Sequence, residues 1–149
     1  MLDLKKPLAA ALLCGVLAAT GACSKQETAA EASSDMAKAQ ADKAEDVSDA
    51  LKDRSEVVAD TAADAASTDP DDRGDAIEDR AEANYNVAMT KADGDLKIAK
   101  QACDAMPAAS QSACNKNAES AHDAAKAQAK ATLDAAKARS DAVQKQDNR

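Results

Sequence analysis

The chain has 149 residues, 41 of them alanine, with one Tyr, no Trp, no Phe and a formal net charge of −8. After Cys23 the large apolar side chains are three leucines, two isoleucines, five valines, three methionines and Tyr85, too few to offset the ordering entropy of a densely cored globular domain. Alanine interleaved with Lys, Asp, Glu and Gln favours helix instead, so the expected fold is all-α.

The N-terminal residues 1–22 read as a signal peptide. Lys5 and Lys6 form a positive start, Pro7 to Ala19 an apolar stretch, and Thr20-Gly21-Ala22 a run of small residues ending at Cys23. Such a segment is too short and wrongly flanked to span a membrane. A Cys directly after the small residues resembles a bacterial lipoprotein signal, with Thr20 where the usual motif has Leu. The resemblance implies that Cys23 is lipidated and becomes the mature N-terminus. Ser24 after it resembles the outer-membrane sorting pattern of enteric bacteria. The expected location is therefore the cell envelope, lipid-anchored on the periplasmic face of the outer membrane. Ordinary cleavage at the same bond would leave a soluble periplasmic chain.

Residues 23–34 are small and polar and read as a flexible tether. Residues 35–66 read as a first helix, with Ala44, Val47, Leu51, Val58 and Ala65 on one stripe that Arg54 and Thr61 interrupt. Residues 67–74 read as a linker, because Pro70 and Gly74 are helix breakers and the aspartates around them suit caps and turns.

Residues 75–146 read as a hairpin of two antiparallel, coiled-coil-like helices, Asp75–Ala105 and Ser110 to about Gln144. On the first, Ile77, Ala81, Tyr85, Ala88, Ala92, Leu96, Ala99 and Cys103 share a face. Tyr85-Asn86-Val87-Ala88 and Leu96-Lys97-Ile98-Ala99 repeat at 11 residues, a period that keeps a stripe nearly straight. Gly94 is its weak point, costing about 1 kcal/mol against Ala. On the second, Cys114, Ala118, Ala121, Ala125, Ala129, Thr132 and Ala136 form the facing stripe. Small residues on both stripes let the helix backbones approach closely. Tyr85 reads as a packing anchor between them.

Cys14 lies within the signal, which leaves Cys103 and Cys114 as an even pair in an oxidising compartment. Their midpoint falls in the Asp104–Ala109 connection. There Pro107 discourages continuation of one helix and Ser110 can cap the next. A turn at that point sets the two cysteines opposite each other and predicts a disulfide within the hairpin; a bridge between two chains is the competing arrangement. The spacing lacks the close pairs and nearby histidines of a zinc site.

Residues 24–95 carry 20 acidic and 8 basic side chains, a net −12, whereas residues 96–149 carry 6 and 9, a net +3. The acidic total and the exported location exclude nucleic acid as a partner. His122, the one histidine, reads as a solvated residue on a polar helix face. No nucleophile elbow or phosphate-binding glycine loop accompanies it, so no enzyme activity and no cofactor are expected.

The run Ala83-x-Tyr85-x-Val87-Ala88, then Lys97-Ile98-Ala99-Lys100-Gln101-Ala102-Cys103-Asp104-Ala105-Met106 and Cys114, resembles small alanine-rich proteobacterial proteins labelled TolA-like or cell-envelope biogenesis proteins. The resemblance covers residues 80 to 140 and implies an envelope location and a helical hairpin. Two roles follow. One is a non-enzymatic lipoprotein, a helical rod that spaces or bridges, partnered by the membrane through its anchor and by envelope proteins or by itself. The other is a stress protectant, because the 11-residue alanine-rich units resemble those of group 3 late-embryogenesis-abundant proteins.

Overall fold

A computed structural model describes residues 28–145. Among them there is no β-strand, and the order is α1 (Ala29–Asp60), α2 (Ala62–Ala65), α3 (Pro70–Asp104) and α4 (Ala108–Gln144). At 35 residues, α3 is about 52 Å long. Residues 1–22, expected to be a signal peptide, and Cys23 lie outside the described residues.

Helices α1 and α3 start where a capping side chain accepts from the orphan N–H groups of the first turn. Helix α1 begins at Ala29, inside the stretch expected to be tether. Thr28 and Glu31 form a capping box: the Thr28 hydroxyl accepts from the Glu31 N–H at 3.3 Å, and the Glu31 carboxylate accepts from the Thr28 N–H at 2.9 Å. The bond from the Thr28 backbone, joined by one from its hydroxyl, holds the Glu31 carboxyl below the usual glutamate range.

The expected linker over 67–74 is shorter, because Pro70 opens α3 rather than stopping a helix. Proline lacks the N–H that would be orphaned at that position, and its fixed φ suits a first helical residue. Asp69 caps the helix, accepting from the Asp71 N–H at 2.9 Å. Gly74 is then an interior helical residue, and it is buried.

At the other end of α3, Pro107 rather than Ser110 occupies the cap position of α4. The Gln111 side chain closes the turn by donating to the carbonyls of Asp104 at 2.9 Å and Met106 at 3.0 Å.

Helices α1, α2 and α4 all pack on α3, while α1 and α4 do not pack on each other. The described chain is thus an open layer with α3 in the middle. Both long neighbours run antiparallel to it. Along α1 and α3, Lys43 pairs with Asp95, Asp46 with Lys97 at 3.8 Å, and Arg54 with Asn84. Along α3 and α4, Lys100 pairs with Glu119 at 3.1 Å and Lys137 with Glu82 at 2.7 Å and Glu78 at 2.9 Å. The hydrogen bonds to Glu82 and then Glu78 raise the Lys137 ammonium above the usual lysine range.

The core is narrow. Among the described residues, Val87 and Cys103 are the only buried apolar side chains larger than Ala. Each of the two helical glycines receives a side chain from a neighbouring helix. A Cβ at Gly74 would lie 2.5 Å from Cγ of Gln144, and one at Gly94 would lie 2.5 Å from Cγ of Lys43. Gly94 is therefore a contact point for α1, and its propensity cost is the condition for that contact.

All eight residues of the Ile77–Cys103 stripe are buried or half-buried. The other two stripes need correction. On α1, Leu51 and Val58 are exposed, and the face on α3 carries Ala39, Lys43, Val47, Ala50, Val57 and Thr61. On α4, Ala121, Ala125 and Thr132 are exposed, and His122, Leu133 and Ser140 lie in the seam. The shift has one cause: polar residues that interrupt an apolar pattern are here the ones that find partners across the seam. Ser140, 1% exposed, donates to the Gly74 carbonyl at 2.8 Å.

Helix α1 packs on α3 without a covalent link, whereas α4 is joined to α3 by a disulfide. Amide exchange is expected to open residues 36–60 before residues 76–100 and 118–140. Equal protection of the three regions would contradict that order.

Candidate functional site

Four aspartates, Asp46, Asp49, Asp53 and Asp60, recur at helical spacing on one side of α1. Antiparallel packing sets Asp79 and Glu82 of α3 opposite them across an open groove of about 890 Å³. Arg54 and Lys97 are the cations that line it. Arg54 is committed to Asn84, and Lys97 lies 3.8 Å from Asp46. The groove is therefore strongly acidic. Among the described residues no group of His, Cys, Asp and Glu is arranged to hold a metal ion.

Arg80 is held against Thr61, one of the residues that line this groove. Its Nε donates to the Thr61 hydroxyl at 2.8 Å, and its Nη2 donates to the carbonyls of Thr61 at 3.1 Å and Val58 at 3.3 Å. The Thr61 hydroxyl in turn donates to the Val57 carbonyl at 2.7 Å. The last turn of α1 contains no basic residue of its own. Arg80 supplies the cation that the carbonyl end of a helix favours, and does so from the neighbouring helix. Thr61, 6% exposed, is thereby satisfied rather than orphaned.

His122 is not solvated as expected. Its side chain is 13% exposed, and Nε2 lies 2.6 Å from the Asp93 carboxylate across the α3–α4 seam. Asp123 Oδ1 lies 3.8 Å from its other ring nitrogen. The ring thus serves as a register pin between two helices, and both groups near it are carboxylates.

Cys103 and Cys114 are joined within the chain, with Cα atoms 5.5 Å apart. That separation lies inside the range a disulfide tolerates. The bridge joins the last turn of α3 to the second turn of α4, near where the chain reverses direction. Tyr85 is half-buried on α3.

The sequence pattern located the disulfide but missed Arg80, Thr61 and the His122–Asp93 pair. Arg54 and Thr61, seven residues apart, already share one helical face, and that spacing could have marked them as a second, polar seam.

In comparisons with known proteins, no family model, no curated protein and no solved structure matches this chain. No helix among the described residues is long and apolar enough to cross a membrane.

Arg80→Met should destabilise the fold by about 1–3 kcal/mol, the usual cost of stranding buried polar partners. Arg80→Lys should recover little of it, because an ammonium cannot reproduce the guanidinium fork. Thermal melts check this; wild-type midpoints for both variants would refute the lock. Closing a loop of 11 residues should contribute about 3 kcal/mol in the chain-entropy model. Denaturant titration of Cys103→Ser/Cys114→Ser should show a loss of that order, and an unchanged midpoint would show the bridge to be dispensable.

Proposed function

We propose that this protein is a non-enzymatic lipoprotein of the bacterial cell envelope, anchored through Cys23. Its helices form a rod that spaces or bridges envelope components on the periplasmic face of the outer membrane. The observation that carries the reading is the Cys103–Cys114 disulfide within the α3–α4 hairpin. Such bonds persist in oxidising compartments and are rare where thiols are kept reduced. The order of Lys5, Lys6, the apolar stretch and the small residues before Cys23 supports export independently.

The form of the helices supports a structural role. A helix of 37 residues alongside one of 35 provides length rather than an enclosed cavity. The paired seams favour a folded rod over a protectant that stays disordered until it is dried. The acidic groove gives one side of the rod a strong negative field. Residues 96–149 carry a net +3, so the far helix does not share that sign of charge.

Cell fractionation tests the anchor. The wild-type protein should sediment with the membrane and carry lipid mass on Cys23, with residues 1–22 removed. Cys23→Ser should move it to the soluble periplasmic fraction. A Cys23→Ser protein that stays membrane-bound, together with a wild type lacking lipid, would end this reading.

A further inference from the structure

Helix α1 has a second face that nothing in the described chain covers. Ala41, Ala44, Ser48, Leu51, Ser55 and Val58 recur alternately three and four residues apart, and all six are exposed. The face that packs on α3 uses Lys43, Val47, Ala50, Val57 and Thr61 instead, one residue step round the helix. Leu51, 41% exposed, is among the large apolar side chains left open to solvent. The alternation of three and four is that of a coiled-coil seam.

We infer that this face of α1 is the interface of an antiparallel homodimer, occupied by the same face of a second copy of this chain. The charges beside the seam select that occupant. Glu45 and Lys52 flank the same edge of the stripe, seven residues apart. In a two-fold antiparallel arrangement, Glu45 of each copy faces Lys52 of the other, giving two equivalent ion pairs. Lys38, the next residue along that edge, then faces Ala59, so no like charges meet there.

The same register settles the packing. It sets Leu51 against Ser48 of the second copy and Val58 against Ala41, large against small along the seam. A parallel arrangement would set Leu51 against Leu51 and Val58 against Val58 and would leave Glu45 and Lys52 unmatched. One surface meeting itself about a two-fold axis also closes, and forms no filament. A shallow hollow of about 430 Å³ beside the stripe, lined in part by Ala44, Val47 and Ile98, continues the apolar surface onto α3. The acidic groove lies on the other flank of α1, so the two acidic fields are kept apart. The inference rests on the fold alone and does not depend on the envelope reading.

Photo-cross-linking in cells tests it with the full chain. A photoreactive residue at Ser55 should give a covalent species of twice the chain mass. The same residue at Asp53, which lines the acidic groove, should give none. Leu51→Asp should abolish the Ser55 product while leaving helicity and the disulfide intact, because the side chain points outward. Glu45→Lys should cut the cross-linked fraction about fivefold, as expected for two modest surface pairs turned repulsive, and Glu45→Lys/Lys52→Glu should restore it. Cross-linking of Ser55 only to other proteins or to lipid, a dimer indifferent to Leu51→Asp, or a double swap that fails to restore it would overturn the inference.

Discussion

The side chains of Gln144 and Lys43 lie where a methyl group at Gly74 or Gly94 would sit, and these contacts of α3 with α4 and α1 set the terms for the rest of the molecule. Helices lined with Gly, Ala and Ser can bring their backbones near each other, so many weak dispersion contacts accumulate without large side chains. With no Trp or Phe, the chain gains its packing by proximity rather than by volume. Helix α3 bears the consequence on two sides, with Gly94 against α1 and Gly74 against α4. Its glycines cost helix propensity, and the contacts they permit offset that cost.

A smooth alanine surface fixes distance but not register. One alanine looks like the next, and a seam built only of them could slide by a turn at little cost. The polar pairs remove that freedom. Lys43–Asp95 and Arg54–Asn84 hold α1, while Asp93–His122 and Lys137 with Glu78 and Glu82 hold α4. Most of these pairs are partly exposed, and each contributes little stability by itself. Their joint effect is on alignment, since a shift by one turn would part Lys43 from Asp95, Arg54 from Asn84 and His122 from Asp93. Arg80 and the disulfide act at opposite ends of α3. The first ties down the C-terminus of α1 and the second the start of α4.

Much of this was legible in the sequence, and the failures share a cause. Alanine abundance gave the helices, and the Pro107 turn between Cys103 and Cys114 gave the hairpin and its bridge. The stripe on α3 was readable because that helix packs on two sides and few of its apolar positions remain outside. The contact face of α1 was misplaced by a step, while on α4 Cys114, Ala118, Ala129 and Ala136 do face the seam and His122, Leu133 and Ser140 were missed. An apolar-stripe pattern counts Arg54 and Thr61 as interruptions, leaves His122 to solvent and gives Ser140 no place, whereas here all four find partners across a seam. Which acid meets which base across a seam depends on register, and the local pattern does not carry register. Two boundary errors had signals in plain view. Thr28-Ala29-Ala30-Glu31 is a capping-box pattern, and Asp69-Pro70 is an N-cap followed by a first-turn proline.

Close packing of small side chains and paired polar seams suffice to hold these helices together in water without a large apolar core. Circular dichroism of the oxidised protein in dilute buffer, followed through thermal unfolding, tests it most directly. A strong helical signal at low temperature and a single cooperative transition are expected. A coil spectrum in dilute buffer that becomes helical only on drying or in alcohol would contradict it.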